Sequence, residues 1–206
     1  MTAVLAMHPS QEIAKAVEEQ HPRDNASDPA IFRRRRYAYT IEELRYIRRL
    51  APLESLPRSL VRTPQSSHPP QMHYALLLTD AAKEMLLNLA AERQFTTYAC
   101  KFADDDSDLD LDSDSEDDSD EVDEFVTLDL VAGSIVDDLG VKLPVSQFID
   151  RVMTPNNSFA FCFTLYTNYE LNRAPSSEDI EKIQSYLGLI DRPFWYPNAF
   201  RFQWVE

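Results

Sequence analysis

Glycine is nearly missing from this chain, with three residues in 206. Phosphate-cradling loops of nucleotide-binding folds need several glycines in a short span, so none is expected. Cysteine is as scarce. Cys100 and Cys162 cannot build a disulfide framework, and a reducing compartment, cytoplasm or nucleus, is expected. The four histidines, His8, His21, His68 and His73, show no metal-ligand spacing to one another or to a cysteine. No apolar run approaches the roughly 20 residues that cross a bilayer. The opening MTAVLAMHPS lacks the charged start and long apolar stretch of a secretory signal. Serine, histidine and aspartate occur, but no nucleophile elbow does. Paired carboxylates crowd only into a solvated acidic block, where nothing perturbs their pKa for acid–base work. The expectation is therefore no cofactor, no metal and no enzymatic activity.

What the chain does have is charge, unevenly placed. Its formal net charge is −15. Between residues 104 and 124, fourteen of 21 positions are Asp or Glu. Outside that block 21 acids face 20 bases, so nearly all the net charge sits there. Such a block repels itself and buries little, which predicts a disordered insertion. Ser107, Ser113 and Ser115 each precede an acid by three residues, a spacing that suits an acid-directed serine kinase, so phosphorylation is expected there. The block also offers a surface to a basic protein. A calcium loop is not expected, because the glycine of its sharp turn is absent. The opposite charge lies upstream. Residues 33 to 62 hold nine arginines against three glutamates, starting with Arg33 to Arg36. Such a run fits nuclear import, phosphate contact, an acidic partner or simple solvation.

After the arginines comes YTIEELRYIRRL, Tyr39 to Leu50. Thr40 and Glu43 form a capping box, Glu42 and Glu43 sit at the positive end of the helix dipole, and Arg48 and Arg49 at the negative end. Ile41, Leu44, Ile47 and Leu50 make a narrow apolar stripe, and Pro52 stops the helix. So short a helix needs a surface to fold against, its own domain or a partner's groove.

The order Tyr39, Thr40, Glu42, Glu43, Leu44, followed by Ile47 and Arg48, resembles the Tyr-x-x-x-x-Leu motif of proteins that bind the cap-binding translation initiation factor. Arg45 departs from it, standing where that family has an apolar side chain. The resemblance covers about a dozen residues. It implies a translation regulator in which Tyr39, Leu44 and Ile47 bury against the factor, Thr40 and Glu43 cap the helix and Arg48 meets an acidic rim.

The prolines at 52, 57, 64, 69 and 70 then read as a linker. The folded part is expected from 72 to 206, as α+β or mainly α. The spacing predicts helices from Thr79 to about Arg93, from Phe125 to Leu139 with Gly140 as cap, after Pro144 with Phe148, Ile149, Val152 and Met153 inward, and from Ser176 to Leu187. Phe95 to Phe102 suits a strand. Ser158 to Arg173 fits either a strand or a buried helix. The run from Leu143 and Pro144 through Phe148, Ile149, Thr164, Leu165, Tyr166, Leu171 and Arg173 faintly resembles the first two helices of a fungal Pho-type cyclin box. That implies a kinase regulatory subunit and requires a helix at 158–173. The aromatic end, Phe194 to Trp204, reads as core with Phe200, Phe202 and Trp204 alternating in a last strand, or as a patch that stacks on bases or a peptide. The architecture expected is a disordered arm over 1–71 carrying a binding helix at 40–50, then one small domain interrupted at 104–124. The functions weighed are an interaction protein, a cyclin-like subunit, and an acidic assembly factor for a basic partner.

Overall fold

A computed structural model describes residues 29–33, 38–63, 68–95, 97, 123–156 and 159–204. The fold is α+β. Four strands, β1 (Met72–Leu77), β2 (Ile149–Val152), β3 (Ala160–Thr167) and β4 (Phe194–Pro197), form an antiparallel sheet in the order β2-β3-β1-β4. Among the described residues four α-helices accompany it: α1 (Ile41–Leu50), α2 (Asp80–Glu92), α3 (Glu124–Asp138) and α4 (Ser177–Tyr186).

The strands sort their side chains by alternation. On β3, Phe161, Phe163 and Leu165 join the main core, while Cys162 belongs to a smaller cluster on the other face. The register between β1 and β3 slips between Tyr74 and Ala75, so Leu165 is the extra residue of a bulge, and Leu165 and Tyr166 both enter the main core. The helices complete that core with Ala82, Leu86 and Ala90 from α2, and Leu128, Val131, Ala132 and Ile135 from α3. Gly133 lies mid-helix because a Cβ there would come within 3.3 Å of the Phe148 ring. Thr79, Asp123 and Ser176 cap α2, α3 and α4, each accepting from a backbone N–H three residues on. Gly140 and Gly188 follow α3 and α4 at φ +63°, the conformation that closes a helix.

The sheet does not stay open. A bridge between Val152 and Asn198 ties the end of β4 to β2, with Met153 N–H donating to Pro197 O and Ala199 N–H to Arg151 O, both at 2.9 Å. Two edge strands joined at one end force the sheet to curl there, around Ala75, Val152, Cys162 and Tyr196.

Several expectations give way. The fold does not begin at 72. Phe32, Tyr39, Ile47, Leu56 and Leu60 are all in the main core. Prolines deny the linker a long helix but do not stop its apolar side chains from packing. Leu53 pairs with Trp195 on the outer edge of β4, each N–H donating to the other's carbonyl at 2.9 Å. The helix expected after Pro144 is replaced by β2, whose entry is held by Asp129. That carboxylate accepts from Phe148 N–H at 2.7 Å and Ile149 N–H at 2.8 Å. At 158–173 the described residues give β3 and a short 3-10 turn at Leu171–Arg173. The cyclin-like resemblance required a helix there and loses its basis. The last strand is β4, earlier than expected, because Asn198 Oδ1 accepts from the N–H groups of Phe200 and Arg201 and turns the chain. Phe202 and Trp204 still pack on the core, whereas Phe200 is exposed. Residues 1–28, 34–37 and 98–122 lie outside the described residues. So Arg34, Arg35, Arg36, Ser107, Ser113, Ser115 and most of the strand expected at 95–102 carry no structural account.

Candidate functional site

The capping box of α1 forms as its sequence dictates. Thr40 N–H donates to Glu43 Oε2 at 2.9 Å, and Glu43 N–H to Thr40 Oγ1 at 3.3 Å. The residues expected to anchor a partner face inward instead. Tyr39 is 8% exposed and Ile47 0%. The Tyr39 ring stacks on Phe202 at 5.4 Å. Its hydroxyl donates to Ile31 O and accepts from Trp204 Nε1–H, both at 3.2 Å. Leu44 packs partly buried on the same core, and Arg48 is half-buried. The face α1 turns to solvent is a different one: Ile41 (66% exposed), Glu42, Arg45, Tyr46 (50%) and Arg49. Arg45, the departure from the motif, lies on it.

Inside the curl of the sheet is a buried polar group that sequence reading missed. His73 Nδ1 is 3.1 Å from Thr164 Oγ1, and its Nε2 lies 2.8 Å from Asn198 Nδ2 and 3.4 Å from Asp150 Oδ2. Hydroxyl, imidazole and carboxylate in a row is the order of a hydrolytic triad. The hydrogen bonds assign it another role. Asn198 Oδ1 is taken by two backbone N–H groups, so its Nδ2 donates to His73 Nε2. His73 then carries its proton on Nδ1 and gives it to Thr164, so it cannot draw the threonine's proton. Both side chains are buried, as is Cys162, 3.7 Å from Thr164 Oγ1. Burial lowers the His73 pKa to about 4, against the opposing pull of Asp150. Burial pushes the Cys162 thiol up to about 12, away from the reactive thiolate. The arrangement bolts β4 to β1, β2 and β3. Among the described residues, no cluster of His, Cys, Asp or Glu could hold a metal ion, and no helix is long and apolar enough to cross a membrane.

Two surface features remain. At the edge strand, Arg151 lies 5.0 Å over Phe125, 5.4 Å over Phe161 and 5.8 Å over Phe200, and Phe200 stacks on Phe159 at 5.4 Å. This cation is already enclosed by rings. The second feature is a groove of about 420 Å³ along α2, lined by Ala81, Glu84, Met85, Asn88, Leu89 and Glu92, with Tyr186 of α4 as its far wall. Two parallel rows build it. Ala81, Met85 and Leu89 form an apolar row and Glu84, Asn88 and Glu92 a polar one, each at the i, i+4 spacing of one helix face. No basic residue lines it, and among the described residues neither glutamate is ion-paired. The clue in the sequence is excess width. Ala82, Leu86 and Ala90 are buried, Met85 and Leu89 pack half-buried on the same core, and Ala81 is exposed, so the apolar face of α2 runs on past its buried ridge to the surface.

No family model matches this chain, and neither curated proteins nor solved structures gave a significant match.

Proposed function

We propose that this chain is a non-enzymatic interaction module that binds a basic amphipathic helix in the groove between α2 and Tyr186. One observation carries the reading: an apolar row whose only charged rim residues are the acids Glu84 and Glu92, on a chain whose net charge is −15. The local charge selects a basic occupant and the overall charge steers it in. Ala81, Met85 and Leu89 would take its apolar residues, Glu84 and Glu92 its lysines or arginines.

The test is fluorescence anisotropy with a labelled helical peptide carrying leucines at i, i+4 and i+8 flanked by lysines. Binding should weaken at least tenfold in Glu84→Lys/Glu92→Lys. It should also weaken in Met85→Glu, although that change adds negative charge. Tighter binding by Met85→Glu would mean attraction to the acidic chain at large and would overturn the site.

The translation-regulator reading remains a second proposal, supported by the motif sequence and by a capped helix at its place. It asks Tyr39 and Ile47 to leave the core. Saturable binding of the purified cap-binding factor to the full chain, lost in Tyr39→Ala/Leu44→Ala while the fold persists, would support it. Loss of fold in that variant, with no binding by the parent, would rule it out.

A further inference from the structure

We infer that the occupant of the α2 groove is α1 of a second copy of this chain, a reading that rests on the groove proposed above. The molecule carries both halves of the contact on its described surface. The groove offers an apolar row beside Glu84 and Glu92. The outward face of α1 offers Ile41 and Tyr46, 66% and 50% exposed, beside Arg45 and Arg49. Each is apolar and charged; Arg45 and Arg49 are opposite in sign to the groove's glutamates, and Glu42, on the same face of α1, lies 3.8 Å from Arg45. The groove's rows and the pair Arg45 and Arg49 repeat at i, i+4, the ridge spacing that lets two helices interdigitate, while Ile41 and Tyr46 stand five residues apart. Glu84 and Glu92 lie about 12 Å apart along α2, and Arg45 and Arg49 about 6 Å apart along α1, at 1.5 Å per residue. The reach of arginine side chains covers that difference.

The contact is available without rearrangement. Tyr39, Leu44 and Ile47 hold α1 to its own core from the opposite side, so the donor helix is presented already formed. A preformed helix avoids the ordering cost that a free peptide of this length carries. Among the described residues Arg45 pairs only across the surface with Glu42, at 3.8 Å, and exchanging that for a partner's glutamate would not be penalised strongly. Groove and helix are different patches. Two copies that exchange α1 reciprocally close as a dimer, and copies joined head to tail form larger species.

Sedimentation equilibrium of the full chain over a range from ten to several hundred micromolar tests this. Self-association is expected, weakening as salt rises. Arg45→Glu/Arg49→Glu alone and Glu84→Arg/Glu92→Arg alone should each shift the association constant at least tenfold toward monomer. An equimolar mixture of the two variants should recover association as a mixed species, because each supplies the half the other lacks. Melting curves of each variant check that it folds. Association that survives both reversals, or a mixture no more associated than its components, overturns the inference. A chain that stays monomeric throughout while binding the lysine–leucine peptide in its groove also overturns it, yet leaves the proposed function standing. A chain that does neither overturns both.

Discussion

His73 gives the chain a pH dependence of predictable sign. Its folded pKa is about 4 against an ordinary 6.5. Between those values the unfolded chain takes a proton that the folded chain refuses. Its contribution is therefore fully present above pH 6.5 and is lost as pH falls toward 4, by about 3 kcal/mol at the low end. Urea unfolding at half-unit steps from pH 7.5 to 4.5 should show that decline, and His73→Gln should flatten it. Tyr39 gives a second outcome at this scale. Tyr39→Phe removes the hydroxyl bonded to Ile31 O and Trp204 Nε1 and should cost about 1 kcal/mol. Tyr39→Ala should cost about 3 kcal/mol or more, through the cavity left beside Phe202. A melting temperature unchanged in both would return Tyr39 to the role of a free partner anchor.

The elements divide by how local their causes are. Helices α2, α3 and α4 are legible in the sequence because cap and periodicity, and in α3 and α4 the terminal glycine too, lie within one segment. Strands are not, since a strand is decided by what pairs with it. The residues after Pro144 have a helical spacing, yet β2 forms because Asp129, some twenty residues upstream, satisfies its first amides. The candidate groove was half legible: the apolar rows on α2 can be read, but Tyr186 opposite them cannot. The same long-range logic attaches the proline-rich segment. Asn168 sits just past β3, with Oδ1 accepting from Met72 N–H at 2.9 Å and Nδ2 donating to Leu60 O at 2.8 Å and Pro70 O at 3.0 Å. Asn168→Asp puts a carboxylate against two carbonyls. It should destabilise by about 3 kcal/mol, more than Asn168→Ala, as measured by chemical denaturation.

Among the described residues the molecule is a sheet closed at one end, with Phe32, Tyr39 and the segment from α1 to Leu60 stitched into its core. Sequence reading placed the boundary near 72 because prolines and arginines dominate the composition upstream. Composition weighs every residue equally, whereas a fold is joined by the few that bury: Phe32, Tyr39, Ile47, Leu56 and Leu60. Truncation before residue 72 should therefore give an insoluble or unfolded product, detectable by loss of near-ultraviolet circular dichroism, rather than a trimmed domain.

The seam at Thr97 and Asp123 has a consequence of its own. Asp123 N–H donates to Thr97 O at 2.8 Å, and Thr127 Oγ1 accepts from Thr97 N–H at 3.1 Å. The two ends of the acidic stretch are thus held at one doorway, independent of what passes between them. A flexible loop closed on such a doorway changes in cost by only about 0.6 kcal/mol for each doubling of its length. Replacing residues 99–121 with a short glycine–serine linker removes twelve acids and one lysine, moving the formal charge from −15 to −4. The melting temperature should barely move. On that outcome charge and fold vary separately in this protein: a lineage or an engineer could rewrite nearly all of its electrostatic identity and keep the core that the described residues form.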